Sequence, residues 1–377
     1  MKKGKILFVI NVDWFFLSHR LPIAIKALNE GYEVHIATKI TDKAEEIKSY
    51  GLILHNLDIS RGDFSFFKSL KTLIQLIQIF KRIRPQLVHL VTIKPIILGG
   101  IAARIANVKG VIAAISGLGY IFINNGLIAS VRRVLIKRLY QFSLNHHNLR
   151  IICQNDNDLQ IIRDITGLNK DTFSMISGSG VPLEKFKFIK DTNEIPNIMM
   201  ASRLLIDKGV IEFSKAAKIL KEKNVTANFI LVGEPDLENP SSIHYSQIKE
   251  WREEGIIDCW GHRDDMHEVL PLASIVVLPS YREGFPKILI EAAACGRAVV
   301  TTDVPGCRDA IYNEITGLLV PVKDSYALAN AIEKLVSNKE WRRTMGNEGR
   351  IMAEEKFDEN IVITKHLEIY NLLLANQ

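Results

Sequence analysis

Short apolar runs recur along the chain, and most are followed by a stretch in which apolar positions return every three or four residues. The first run, KILFVIN from Lys5, lacks polar alternation and so predicts a strand buried on both faces. SHRLPIAIKALNEGY, from Ser18, has helical spacing that stops at Gly31. The alternation continues through strand EVHIATK, helix DKAEEIKSYG, strand LILHNLDI and the long helix FFKSLKTLIQLIQIFKRIR. Then come strand LVHLVTIK, a helix through GGIAARIA, and strands GVIAAIS and RIICQ. A second series begins at NIMMASR and runs through NFILVGE, IIDCWG, ASIVVLPS and AVVTTD. Strands apolar throughout, alternating with helices, predict parallel sheets covered on both faces.

At 377 residues the chain exceeds the size at which one core stops growing, so two domains are expected. The two series fit two Rossmann-like units, 1–180 and 181–358. SGSGVPLEKFKFIKDTNEIPN, residues 177–197, is rich in Gly, Ser, Pro and charge and marks the join. Ligands of such sheets bind beyond the carboxyl ends of the strands, so two facing units place the site in the cleft between them.

Charge is uneven. Residues 1–180 hold 24 Lys and Arg against 12 Asp and Glu, and residues 181–377 hold 24 against 30. A basic half suggests an anionic partner: a membrane surface or a phosphorylated substrate. Nucleic acid is disfavoured, because aromatics are not interleaved with the basic residues and no binding motif occurs. Cys153, Cys259, Cys295 and Cys307 are widely spaced, against a disulfide framework or zinc site and in keeping with a reducing cytoplasm. The apolar stretches are too short to cross a bilayer. The start MKKGKILFVINVDWF lacks a cleavage site and reads as a strand, not a signal peptide.

No G-x-G-x-x-G follows the first strand, which disfavours a nicotinamide or flavin enzyme, and Walker A and H-E-x-x-H are absent. The chemistry concentrates instead in YREGFPKILIEAAACG. Glu283 follows the strand SIVVLPS, and Gly284 permits close backbone approach. Pro286 suits a first helical turn, and the helix N-terminus is suited to a phosphate. Glu291 lies deeper in that helix. Acids so placed accept hydrogen bonds from hydroxyls, as on sugars. Capping and surface roles explain the two acids about as well when they are taken alone. In ASRLLIDKGV, Arg203 stands at a strand end with Lys208 five residues on, a fork and a point charge able to hold a diphosphate.

Arg203-x4-Lys208 with Glu283-x7-Glu291 resembles the signature of glycosyltransferase family 4, the retaining GT-B enzymes. LVGE, YREGFPKILIEAAACGRAVVTTDVPGC, FFLSHRLPIA and ISGLGY are similar to the bacterial branch that builds O-antigen, capsule and lipid-linked oligosaccharides. The resemblance spans nearly the whole chain. It implies that Arg203 and Lys208 bind the donor diphosphate and act with Glu283 in catalysis. Glu283 and the backbone from Gly284 through Phe285 and Pro286 to Lys287 would hold the donor sugar. Glu291 would hold the ribose, with Arg263 also on the donor side. It further implies an acceptor side at Asp13, His19, Arg20 and Gly117, and a final helix, 359–377, returning to the first domain. The chain departs from the family in lacking a G-G pair in NVDWFFLSHR and a His after GVIAAIS, and in having Asp309 where Glu is commoner.

These readings converge on a nucleotide-sugar donor, UDP by resemblance, with no cofactor and no metal. Asp156-x-Asp158 mimics a metal-binding D-x-D but opens a helix, where capping explains it. His146 and His147 are expected on a solvated face. ASVRRVLIKRLYQFSL places Arg132, Arg133, Lys137 and Arg138 among Val131, Val134, Leu135, Leu139 and Phe142, spacing that suits an anionic membrane interface or a core helix with a charged outer face. The expected protein is peripheral on the cytoplasmic face of the inner membrane and transfers a sugar, an N-acetylated hexosamine by the branch, to a polyprenyl-diphosphate-linked saccharide. A GT-B epimerase, a glucan synthase-like transferase and a non-catalytic sugar-nucleotide-binding subunit remain as alternatives.

Overall fold

The structure, a computed structural model, describes residues 3–59, 65–118, 127–237 and 239–375, with side chains left undescribed at 127–133. The chain divides into two compact units, residues 1–179 with 361–377, and residues 180–360.

In the first unit, seven strands form one sheet: β1 (Gly4–Val12), β2 (Tyr32–Lys39), β3 (Ile53–Asn56), β4 (Leu87–Val91), β5 (Gly110–Ile115), β6 (Leu149–Cys153) and β7 (Phe173–Met175). Their order is β3-β2-β1-β4-β5-β6-β7, with every pairing parallel. Residues of β4 and β5 are buried throughout, as strands covered on both faces must be. One face carries the helices Phe66–Ile83 and Ile93–Ile105, whose Leu76, Phe80, Ile96 and Ala102 share a core with Val88 and Ala113. The other face is covered by Leu21–Asn29 and by the last helix, Glu359–Ala375. His89 Nδ1 and the Tyr370 hydroxyl share a buried hydrogen bond of 2.7 Å that fastens this last helix to β4.

The N-terminal helical stretch differs from its sequence pattern. It is two helices, Asp13–His19 and Leu21–Asn29, interrupted at Arg20 (φ −132°). Pro22 explains the break: it opens the second helix and lacks the N–H that a continuous helix would need there.

In the second unit, β8 (Asn197–Ala201), β9 (Asn228–Val232), β10 (Asp258–Gly261), β11 (Ile275–Leu278), β12 (Ala298–Thr302) and β13 (Gly317–Val320) form a parallel sheet. Their order is β10-β9-β8-β11-β12-β13. The first strand of each unit is therefore central, flanked by strands that arrive through crossovers of opposite direction. Such a switch point leaves a crevice at the carboxyl edge of the sheet. Among the described residues, no helix is long and apolar enough to cross a membrane.

Candidate active site

The carboxyl edge of the second sheet gathers the acids and cations that the sequence separates. β8 ends at Ala201, and the chain turns through Ser202 and Arg203 into a short turn, Ile206–Lys208, before the helix Val210–Glu222. Gly209 makes that turn at φ 78°, and a Cβ there would lie 2.1 Å from the Pro279 carbonyl oxygen. Only glycine lets the Lys208 loop pack this closely on the chain leaving β11. Tyr281 N–H then donates to the Asp207 carbonyl (2.9 Å), which ties the two loops together.

The Lys208 ammonium consequently meets the Glu283 carboxylate in a close ion pair, with side chains only 19% and 11% exposed. Ser280 Oγ donates to the same Glu283 oxygen at 2.6 Å. Arg203 reaches to the loop after β9, where Nη1 donates to Asp236 Oδ2 at 2.7 Å. In the helix Lys287–Ala294, Lys287 Nζ lies 3.2 Å from Glu291 Oε1 one turn on. Burial raises the Glu291 carboxyl above its ordinary range, and Lys287 opposes that shift. The residue before the helix, Pro286, supplies no side-chain cap to it.

Pro286 stands one position before this helix, extended at φ −74°, ψ 116°, and not in its first turn. Phe285 is buried, edge-on to Phe357 with ring centroids 5.5 Å apart. Its side chain serves the core, so only its backbone can present groups to a ligand. Arg263 lies on an exposed turn after β10, and its guanidinium is committed to Asp265 (Nε–Oδ1 2.7 Å).

Sequence reading missed the supports of this loop. Gly306 (φ 82°) presses on it so closely that a Cβ would stand 2.5 Å from the Gly284 oxygen and 2.7 Å from the Glu283 oxygen. Asp309 Oδ2 accepts from the Gly306 N–H at 2.8 Å, which fixes that turn. The Thr302 hydroxyl donates to the Ser280 carbonyl. Asp236, the partner of Arg203, carried no signal beyond its place after an apolar strand.

The acceptor-side residues fall in the first unit. Asp13 is fully buried, and its carboxylate accepts from Trp14 N–H (2.8 Å), Thr41 N–H (2.6 Å) and Thr41 Oγ1 (2.7 Å). Through these bonds Asp13 anchors the loop that leaves β2. His19 is half-buried, its ring stacked on Phe15 at 4.1 Å. Arg20 is 2% exposed and donates to the His19 carbonyl (2.8 Å) and Ser116 Oγ (3.3 Å), and burial lowers its pKa to about 10. It braces the end of β5, where Gly117 turns the chain at φ 107°.

Other expectations divide. Asn155 Oδ1 accepts from Asp158 N–H at 2.8 Å, so the N-D-N-D stretch is a helix cap. His146 is half-buried, its Nε2 2.9 Å from the Val108 carbonyl oxygen, while His147 is exposed. In the helix Leu127–Ser143, Val134, Leu135 and Phe142 are exposed beside Lys137 and Arg138, while the side chains of Val131, Arg132 and Arg133 lie outside the described residues. So does Gly119 of the ISGLGY stretch.

Residues 183–352 match the family model described as glycosyl transferases group 1, and residues 5–155 match that described as glycosyl transferase 4-like. The N,N'-diacetylbacillosaminyl-diphospho-undecaprenol alpha-1,3-N-acetylgalactosaminyltransferase of Campylobacter jejuni is 32% identical over 383 residues, 96% of this chain and 99% of that protein. The UDP-Gal:alpha-D-GlcNAc-diphosphoundecaprenol alpha-1,3-galactosyltransferase of Escherichia coli is 26% identical over 293 residues, 74% of this chain and 73% of that protein. HepE of Anabaena, crystallised in complex with UDP, shares the fold at TM-score 0.77 and 17% identity, covering 97% of this chain and 99% of that one. With both of its parallel-sheet units matched in this way, the chain belongs to the family 4 glycosyltransferases and has their GT-B fold.

Proposed function

We propose that this glycosyltransferase moves a sugar, an N-acetylated hexosamine, from a UDP-sugar to a saccharide carried on a polyprenyl diphosphate, with retention at the anomeric carbon. The reaction would serve cell-surface polysaccharide assembly, at the cytoplasmic face of the inner membrane. The observation that carries the reading is the gathering of three acid–cation pairs, Arg203–Asp236, Lys208–Glu283 and Lys287–Glu291, at one sheet edge. The named substrates of the Campylobacter and Escherichia relatives support a lipid-diphosphate acceptor, and the second of those names also supports a UDP donor.

In the free protein each cation is neutralised by its own acid. A donor diphosphate would compete for Arg203 and Lys208, and the released Glu283 would accept hydrogen bonds from hydroxyls of the transferred sugar. Glu291, placed one turn into its helix, would take the ribose hydroxyls. As the bond from the anomeric carbon to the diphosphate oxygen breaks, negative charge grows on UDP. Arg203, Lys208 and the helix N-terminus at Lys287 would meet that charge, which is how preorganised dipoles and cations lower such barriers. The acceptor hydroxyl attacks from the same face, and its proton passes to the departing phosphate oxygen. Retention through a covalent intermediate would need a carboxylate nucleophile, and the reading assigns none. The exposed Val134 and Leu135 beside Lys137 and Arg138 support contact with an anionic membrane surface.

The test is a panel of UDP-sugars incubated with sugars on a polyprenyl diphosphate, read by the mass of the lipid product and its anomeric configuration. A lipid extended by one α-linked sugar, with release of stoichiometric UDP, is expected. Conversion of the donor to an epimer without any acceptor would replace this reading with that of an isomerase.

A further inference from the structure

Tyr281 stands two residues before Glu283, on the segment that leaves β11. Its backbone N–H binds the Asp207 carbonyl, and its hydroxyl donates to Glu212 Oε1 at 2.9 Å. Asp207 immediately precedes Lys208, and Glu212 lies four residues after it, in the first turn of the helix Val210–Glu222. One residue therefore grips the Lys208 segment on both flanks. A third contact comes from the turn after β13, where Lys323 Nζ lies 4.8 Å from the centre of the Tyr281 ring. Tyr281 thus joins segments that leave three strands, β8, β11 and β13.

Glu212 is 8% exposed, and its Oε2, also buried, has no hydrogen-bond partner among the described residues. Burying a carboxylate with one oxygen unbonded costs free energy that an apolar side chain would not. What the charge gives in return is a stronger acceptor for the phenol than a neutral group is. Neither side chain of the Lys208–Glu283 pair takes part in this hydrogen bond or in the Tyr281–Asp207 bond. That independence matters if a donor diphosphate competes for Lys208. The ion pair that fixes Lys208 against Glu283 in the free protein is then opened by the ligand, and the Tyr281 contacts are left to keep their spacing.

We propose that Tyr281 is a positioning residue for Lys208 and Glu283: with Asp207 and Glu212 it holds the two loops in register once the donor has opened the pair, so that Lys208 meets the diphosphate while Glu283 meets the sugar. This rests on the donor reading above and adds to it the element that keeps the site preorganised. Charges that hold their places as the bond breaks need no reorganisation, which is where such sites gain rate. The Tyr281 hydroxyl is committed to Glu212 and acts through the two loops.

The experiment measures kcat, as released UDP, and Tm on Tyr281→Phe, Glu212→Leu and Glu212→Gln. Tyr281→Phe keeps the ring and removes only the hydroxyl. A misplacement of about 1 Å can cost on the order of a hundredfold in rate, so Tyr281→Phe and Glu212→Leu should each lower kcat roughly tenfold or more. Glu212→Gln keeps an acceptor oxygen for the phenol and should hold kcat within about threefold of wild type. Tyr281→Phe is then added to Lys208→Met/Glu283→Gln. With neither member of the pair left to position, the added substitution should change kcat by less than about twofold, a coupling that a contact serving the fold alone would not show. An equal loss in both backgrounds, or wild-type kcat in Tyr281→Phe and Glu212→Leu, would overturn the proposal while the donor reading stands. Wild-type kcat in Lys208→Met/Glu283→Gln itself would remove the donor reading, and this role of Tyr281 with it.

Discussion

Replacing Lys208 by methionine separates what the Lys208–Glu283 pair does for folding from what it does for turnover. The side chains of the pair are 19% and 11% exposed, so the lost lysine leaves a carboxylate that is mostly buried and retains Ser280 Oγ at 2.6 Å. Breaking a buried ion pair by removing one partner costs about 3–5 kcal/mol, and the residual exposure here places the loss toward about 2–3 kcal/mol. The kinetic term is distinct. A unit charge about 4 Å from the departing diphosphate is worth roughly 4 kcal/mol at an effective dielectric of about 20, close to a thousandfold in rate. Lys208→Met should therefore lower both Tm and kcat. Adding Glu283→Gln removes the stranded charge, so Lys208→Met/Glu283→Gln should regain most of the lost Tm while kcat stays down by about a thousandfold. Thermal unfolding and steady-state UDP release on the same preparations decide it. A double variant that recovers both, or a Lys208→Met protein with lowered Tm and normal kcat, would refute the reasoning.

Three further outcomes follow from single contacts. Gly306→Ala would drive a methyl into the Gly284 and Glu283 carbonyls at a backbone angle that alanine resists. It should cost roughly 1–3 kcal/mol of stability and reduce kcat by displacing Glu283, whereas Ala at Gly255, which has open space, should cost stability only. His366, buried and near Arg20, has its pKa pushed down to about 3 from 6.5, by burial first and by the Arg20 charge second. Stability from its neutral form is complete above about pH 6.5 and is lost as pH falls toward about 3, at about 1.4 kcal/mol per unit. His366→Gln should flatten the dependence of stability on pH between about 6.5 and 4, measured by urea titration, and an unchanged slope would contradict this. Asp309→Asn keeps an acceptor oxygen for the Gly306 N–H and should retain most activity, whereas Asp309→Ala should lose it alongside Gly306→Ala.

The parallel, doubly covered sheets were legible because strands such as LVHLV and GVIAAI are buried along their whole length, which leaves unbroken apolar runs. Glu283, Lys208 and Arg203 were legible as a set because each lies in a segment that leaves the carboxyl end of an apolar strand, and strand ends on one side of a parallel sheet meet in space. Their pairing was not legible: Asp236 and Glu283 lie 33 and 75 positions from their cations, and nothing local selects them. Nor were the directions of the Asp13 and Phe285 side chains: each stands near a strand end and turns inward, to the Thr41 loop or to Phe357, and the sequence does not record that. The break at Arg20 was hidden because helical spacing persists on both sides of it. Short strands such as β7 and β13 carry too few residues for a periodic signal.

The central claim is that Arg203 and Lys208 bind the diphosphate of the donor. Calorimetric affinities for uridine and UDP, measured on wild type and on Arg203→Ala, test it without an acceptor. The account predicts that wild type gains at least tenfold in affinity from uridine to UDP and that Arg203→Ala loses most of this gain with its uridine affinity intact. An equal gain in both proteins would contradict it.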